Sequence, residues 1–185
     1  PWTAVPPAYA YFALLSKENK CSPYVVTTNW DELIEVALHQ VGLEEVTVLF
    51  GGAQADSEWE KEIPEGNLDA KVLELREQHK RVVVKLHGTV SNAFSVMGSL
   101  DDISSLRKPR AQALNNLLRY HDHLVTVGWS ARDPDIMRVI REIKRRPALW
   151  AVMKTPIGML DPQKRTGIEE YLKLNDQDGS EWYQC

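Results

Sequence analysis

Short runs of β-branched residues alternate with helical stretches along the chain, and no other feature of the sequence limits its fold so strongly. The run RVVVKLHG, residues 81–88, has the unbroken apolar core that is typical of a strand buried in a parallel sheet. Further strands are predicted at 24–28, 46–50, 123–129 and 148–154. Parallel neighbours need a long crossover connection, which helices usually supply. The sequence therefore predicts the α/β class, with a parallel sheet covered by helices.

The helices are predicted from apolar residues at helical spacing. Apolar side chains from Trp30 to Val41 recur at offsets 0, 3, 4, 7, 8 and 11, which makes one continuous helical stripe. A second stripe, from Ile136 to Ile143, follows an Asp–Pro pair that often starts a helix. The glycine-rich, acidic stretch 51–67 is predicted to be a loop. Other helices are predicted at 8–20 and 67–79, after Ser99, around Leu114–Leu118 and from Asp161.

Composition and charge exclude several classes of protein. Of the 185 residues, 43% are apolar and 26% are charged, so residues 1–185 are predicted to form a single globular domain. The net charge of −4 argues against a surface for nucleic acid or anionic lipid. No apolar run approaches the roughly 20 residues that cross a bilayer, so no membrane partner is expected.

The cysteine count limits metal and disulfide chemistry. Cys21 and Cys185 are too few for a zinc ribbon, which needs four soft ligands in pairs, and no metal site is predicted. They also do not suggest a disulfide framework, so a reducing compartment and a cytoplasmic location are expected. Because the sequence begins at Pro1 without a methionine, it is expected to be a fragment of a longer protein.

Polar clusters follow three of the predicted strands. They are TTNWD after the first strand, HG after the third and GWSARD after the fourth. In open α/β sheets, ligands bind beyond the carboxyl ends of the strands, so the clusters could share one crevice. Gly88 and Gly128 would let backbone approach a ligand closely. Helices opening at Trp30 and Asp133 would direct their positive ends there, which suits a phosphate-bearing molecule.

Each cluster also has a purely structural interpretation. Asn29 and Asp31 could cap the helix that follows them, and His87 could be a buried histidine with satisfied hydrogen bonds. Asp133 is expected to cap its helix in either case, and its neighbours could be ordinary loop residues. Both interpretations stay open for each residue alone. The joint placement of the clusters at strand ends favours a ligand site.

Four blocks of the sequence carry a resemblance to a known family. They are VVTTNWDELIE, VVVKLHGTV, FSVMGSLDDISSL and LVTVGWSARDPDIMRVI, in this order between residues 25 and 140. Together they resemble successive blocks of the sirtuin-like family, and most closely the bacterial branch of antiphage-defence NAD hydrolases. The most specific pieces are the Thr-Thr-Asn-aromatic-Asp and Lys-Leu-His-Gly sequences.

The resemblance implies a Rossmann-like domain that binds NAD and cleaves its nicotinamide–ribose bond. By matching position, Asn29 would orient the water or the ribose, and His87 would be the general base or would bond the ribose hydroxyls. Asp31 would hold the ribose on the nicotinamide side. The other NAD-binding residues that the resemblance implies are Thr27, Thr28, Gly88, Gly128, Trp129, Ser130 and Asp133.

Two departures from the family shape the expected function. The family normally starts with a strand and a Gly-Ala-Gly-type loop for the pyrophosphate, and this sequence is expected to lack both. The zinc module of protein-deacylating sirtuins is also missing, which favours hydrolysis. The resemblance implies a defence effector regulated through homo-oligomerisation or a partner protein. A non-catalytic sensor of NAD or ADP-ribose and a protein deacylase are the alternatives.

Overall fold

A computed structural model describes residues 5–50, 53–97, 108–127, 129, 133–143 and 147–152. The chain divides into two compact units, residues 1–98 and residues 99–185. A single domain over the whole chain stays a prediction. Among the described residues, no helix has both the length and the apolar character needed to cross a bilayer.

The first unit contains a parallel sheet of three strands. They are β1 (Tyr24–Thr27), β2 (Glu44–Leu49) and β3 (Lys80–Lys85), in the spatial order β1-β3-β2. Thr27 of β1 and Leu49 of β2 both lie opposite Lys85 at the end of the central strand. The carboxyl ends of the three strands therefore lie at one edge of this sheet.

Helices cover both faces of this sheet. They are α1 (Pro7–Lys17), α2 (Leu33–Gln40), α3 (Ala53–Glu62) and α4 (Leu68–Glu77). Apolar residues of α1 and α2 pack with Val25 and Val83 on one face. On the other face, the Tyr24 hydroxyl donates to the Glu62 carbonyl oxygen at the end of α3, over 3.1 Å. The predicted α/β class, with helices on both faces of a parallel sheet, is confirmed.

The core between the sheet and α2 is apolar. Ala37 and Leu38 have no exposed surface, and Ile34 and Val41 are buried beside them. Burying a leucine side chain of this kind contributes about 1.5–3 kcal/mol. This packing, more than intrinsic propensity, stabilises a helix as short as α2.

The second unit contains a two-stranded parallel sheet and two helices. The elements are α5 (Lys108–Tyr120), β4 (His123–Val127), α6 (Pro134–Glu142) and β5 (Ala148–Val152). The helix predicted around Leu114–Leu118 is confirmed as α5, and Leu114, Leu117 and Leu118 are buried. The stripe predicted from Ile136 to Ile143 is confirmed as a buried face, formed by Ile136, Val139, Ile140 and Ile143. Pro134 occupies the first turn of α6, where its missing N–H costs nothing.

The prediction of a loop over 51–67 is wrong, because residues Ala53–Glu62 form α3. The two glycines at 51–52 suggested a loop, but alanine, glutamine, glutamate and lysine, which are strong helix formers, dominate the residues after them. Trp59 and Ile63, four positions apart, are both buried and anchor this segment. Packing of two large side chains thus fixes a helix on an otherwise polar stretch.

The predicted start of α2 is also wrong. Trp30 lies outside the helix, which begins at Leu33, and 43% of the surface of Trp30 is exposed. An Asp31 carboxylate oxygen accepts a hydrogen bond from the Leu33 backbone N–H over 3.1 Å. This local bond stabilises a turn before the helix, so the stripe loses its first member. The helices predicted after Ser99 and from Asp161 lie outside the described residues.

Candidate functional site at the ends of β1 and β3

The pairing of β1 with β3 brings two predicted site residues to the same level. Thr27 lies opposite Lys85, and the Leu86 N–H donates to the Thr27 carbonyl oxygen over 3.0 Å. Asn29 and His87 each follow this paired position by two residues. Adjacent parallel strands lie about 4.8 Å apart. The two residues therefore leave neighbouring strands together at the carboxyl edge of the sheet.

Asn29 and Asp31, which the sequence left as possible helix caps, have different roles. The Asn29 N–H donates to the Thr27 hydroxyl oxygen over 3.0 Å, and its side-chain Nδ2 donates to the Tyr9 hydroxyl over 3.0 Å. Asp31 satisfies the first N–H of α2, at Leu33. Asp31 thus stabilises the turn before α2, whose N-cap residue is Glu32, whereas the exposed Asn29 amide bonds to Tyr9 of α1.

The segment after β3 is compact and leaves little room around Gly88. His87 is buried, with 7% of its surface exposed, and its carbonyl oxygen accepts from the Met97 N–H over 3.0 Å. Gly88 has φ +88°, and a Cβ built there would lie 2.2 Å from the Ser95 carbonyl oxygen. Glycine is therefore required at 88 by the protein's own backbone. A contact of Gly88 with NAD stays a prediction.

Hydrogen bonds join the segments that follow β1 and β3. The Val90 N–H donates to the Trp30 carbonyl oxygen over 2.9 Å. The hydroxyls of Thr89 and Ser91 both donate to Oε1 of Glu32, over 3.1 Å in the case of Thr89. These bonds, that of Ser91 first, lower the pKa of Glu32 because they favour its ionised form. The segments carrying Asn29 and His87 are thus held to each other.

A buried ion pair lies beneath these segments. Lys85 has no exposed surface, and its Nζ donates to the Asp31 carbonyl oxygen and, over 3.0 Å, to Oε1 of Glu35. This pair was not predicted from the sequence, because glutamate on an amphipathic helix is usually exposed. The sequence feature that could have indicated it is Lys85 itself, because a cation in an apolar, buried strand requires a buried partner.

The predicted site residues on the remaining segments have the following positions. Thr28 directly follows β1 and is half-buried. Asp133 occupies the N-cap position of α6, where its carbonyl oxygen accepts from the Met137 N–H over 2.9 Å. Its side chain makes no capping bond; Oδ2 accepts from the indole N–H of Trp129 over 2.7 Å. Gly128 and Ser130 lie outside the described residues.

A cleft of about 380 Å³ lies between α2 and β2. Glu32, Glu35 and Glu45 contribute to its lining, and Asn29 and His87 are not among its lining residues. A pyrophosphate carries negative charge, so this acidic cleft disfavours the central part of NAD. Carboxylates also surround the amino end of α2 and already balance its positive end. Neutral ribose hydroxyls suit this end of the sheet better than phosphate groups do.

Comparison with known families decides the classification. A family model described as SIR2-like domain matches residues 23–175. The chain belongs to the SIR2-like family. SIR2-like domains are typically NAD-dependent enzymes, so the predicted use of NAD agrees with the family. No curated protein matches the chain. The match extends from just before β1 through β5 and includes all ten predicted site residues of this SIR2-like chain.

Proposed function

We propose that this SIR2-like chain is an NAD glycohydrolase that releases nicotinamide and leaves ADP-ribose or its cyclic form. The observation that carries the proposal is the common level of Asn29 and His87 beyond the paired ends of β1 and β3. An amide and an imidazole at one edge of a parallel sheet suit the reacting ribose of a nucleotide. The bonds that join their two segments support a preorganised pair.

The proposed reaction needs little acid catalysis. The bond between C1′ of the ribose and the nicotinamide nitrogen breaks with its electron pair going to the nitrogen, so the leaving group departs neutral. C1′ gains oxocarbenium character, as in other glycoside hydrolyses, and the oxygen of a water forms the new bond to it. Asn29 would orient this water, and His87 would accept its proton as the general base.

Asp31 would complete the ribose site. Its Oδ1 accepts from the Leu33 N–H, which fixes the carboxylate and leaves Oδ2 as the acceptor for a ribose hydroxyl. Removing Asp31 would therefore weaken both the start of α2 and the contact with the substrate. Hydrolysis is favoured over protein deacylation because Cys21 and Cys185 cannot supply the four soft ligands of a zinc module.

The biological role that fits this chemistry is depletion of NAD by a defence effector. The resemblance of the four sequence blocks to antiphage-defence NAD hydrolases supports this role. An NAD hydrolase that is active all the time would harm its own cell. The proposal therefore includes control through homo-oligomerisation or through a partner protein.

The test is release of nicotinamide from NAD, followed by chromatography that separates ADP-ribose from a cyclic product. We expect Asn29→Ala and His87→Ala each to lower the rate by about a hundredfold or more, the range of a lost general base. His39→Ala is the matched control, because His39 is a histidine of the same unit with a 65% exposed side chain. Release that survives both substitutions would refute the assignment of these residues.

Binding measurements separate hydrolysis from the alternative function. If the folded parent protein binds NAD or ADP-ribose by calorimetry and releases no nicotinamide, the chain is a sensor and the proposal is wrong. Hydrolysis by the parent, with NAD binding retained in His87→Ala, would support the role of His87 in the chemical step.

A further inference from the structure

The central strand carries a cation that the proposed reaction does not use. Lys85 is the last residue of β3 and has no exposed surface. A side chain without exposed surface is closed to substrate, so Lys85 is not a catalytic residue. Burial of an ammonium group is costly unless it is paired and hydrogen-bonded. The pairing of Lys85 therefore indicates what the cation stabilises.

Both described acceptors of Lys85 belong to the segment that starts α2. One is the backbone carbonyl oxygen of Asp31, two residues after Asn29, and the other is Oε1 of Glu35 in the first turn of the helix. The ammonium group thus binds the backbone beside Asn29. Its own backbone precedes His87 by two residues. One side chain therefore connects the two segments on which the proposed site depends.

Glu35 holds this cation in place. It is 8% exposed, and its Oε1 lies 3.0 Å from Nζ of Lys85. Its Oε2 is buried and accepts no hydrogen bond from the described part of the chain. Lys85 is the one described partner of the Glu35 carboxylate. The Lys85 ammonium group is held between this carboxylate and the Asp31 carbonyl oxygen.

We propose that the buried Lys85–Glu35 pair is the positioning element that fixes the Asn29 segment relative to His87. The proposal rests on the proposed function for its effect on turnover, and on the hydrogen bonds of Lys85 for its effect on structure. Glu32, Thr89 and Ser91 join the same segments at the surface. The buried pair joins them from below, where water cannot compete for the bonds.

The test uses the double variant Lys85→Met with Glu35→Leu. It removes both charges together, so neither is left buried alone, and such replacements often retain stability. It also removes the bond to the Asp31 carbonyl oxygen. We expect a folded protein in which the hydrogen-bonded amides of residues 29–36, which include those of Asn29, Leu33 and Val36, lose protection in hydrogen–deuterium exchange. We expect kcat for nicotinamide release to fall by roughly tenfold to a hundredfold, with a much smaller change in KM.

Arg81→Met is the matched control. Arg81 is a second buried cation on the same face of β3, and it bonds to the end of α1 at Ser16 and Asn19. We expect this control to lose exchange protection near residues 16–20 and to keep it at residues 29–36. A general loss of stability would affect both regions in both proteins.

The outcomes separate this inference from the proposed function. Unchanged exchange at residues 29–36 in the folded double variant would overturn the inference, whatever the activity. If the parent releases no nicotinamide, the proposed function fails and the exchange result alone decides the role of the pair. Lost protection with an unchanged kcat would also overturn it, because the pair would then order the segment without serving the reaction.

Discussion

The two ends of β3 stabilise buried cations in different ways. Arg81 and Lys85 lie on the same face of the strand, with Val83 between them, and neither is more than 1% exposed. Arg81 donates to the carbonyl oxygens of Ser16 and Lys80 and to the side-chain oxygen of Asn19, which are neutral acceptors. Lys85 is paired with a carboxylate.

The difference corresponds to different tasks. Arg81 satisfies a carbonyl in the last turn of α1, where a cation also interacts favourably with the negative end of the helix. Burial is the largest cause that lowers the pKa of Arg81. The Lys85 end adjoins the proposed site and holds an ion pair that breaks only at high cost. Arg81 at one end of the strand anchors α1, and Lys85 at the other end holds together the segments that carry Asn29 and His87.

The largest effect is expected from breaking the ion pair on one side. Lys85→Met leaves the Glu35 carboxylate buried without its cation, so we expect the free energy of unfolding to fall by about 3–5 kcal/mol. Urea unfolding measures this change. Adding Glu35→Leu should restore most of the lost stability. If the double variant is as unstable as the single one, the loss is due to packing and not to the unpaired charge.

A smaller loss of stability is expected at the other end of the strand. Arg81→Met removes the hydrogen bonds that a charged donor makes to neutral acceptors at Ser16 and Asn19, which costs about 1–3 kcal/mol. The same urea measurement, made on both single variants, compares the two ends directly. A loss for Arg81→Met that equals or exceeds the loss for Lys85→Met would contradict the distinction between neutral and charged partners.

The smallest effect concerns acidity and the surface bonds of Glu32. The pKa of the Glu32 carboxyl is lowered in the folded state from its ordinary value of 4.5. The charged Glu32 therefore contributes fully to stability above pH 4.5, and this contribution is lost as the pH falls through the lowered pKa. Because Glu32 is exposed, we expect Glu32→Gln to cost less than about 1 kcal/mol at pH 7. Unfolding of parent and variant at pH 7 and at pH 3 measures the difference.

That difference should shrink at pH 3, because Glu32 of the parent is protonated to a greater extent there than at pH 7. A gap between parent and variant that stays constant with pH would mean that Glu32 acts by size or packing. The neutral acceptors of Arg81 at Ser16 and Asn19 predict no matching acid sensitivity at the other end of the strand.

The positions of the strands and their polar ends could be predicted because they depend on local patterns. The apolar run of β3 and the polar residues after β1 and β3 identified the edge of the sheet that carries Asn29 and His87. The helix α3 was missed because two glycines were given more weight than the helix formers after them. Its buried Trp59 and Ile63 receive their partners only in the folded chain.

The ion pair could not be predicted in full for a related reason. Lys85 and Glu35 are 50 positions apart, and only the packing of α2 on the sheet brings them together. An isolated lysine in the apolar run of β3 predicts some buried anion, but the sequence offers many carboxylates. The carboxylate that pairs with Lys85 is determined by the rotation of α2 about its axis. The spacing of apolar residues in the sequence predicts that rotation only to within one residue.

The alternation of side chains along β3 also has a consequence for folding. Val82 and Val84 lie on one face of the strand, and Arg81, Val83 and Lys85 lie on the other. A slip of one residue in strand pairing would exchange these faces. Arg81 and Lys85 would then lie on the face that Val82 and Val84 now occupy, away from their hydrogen-bond acceptors. Burying two unpaired cations would cost far more free energy than losing one apolar contact. The two charged residues on either side of the valines therefore disfavour misregistered strand pairing while the chain folds.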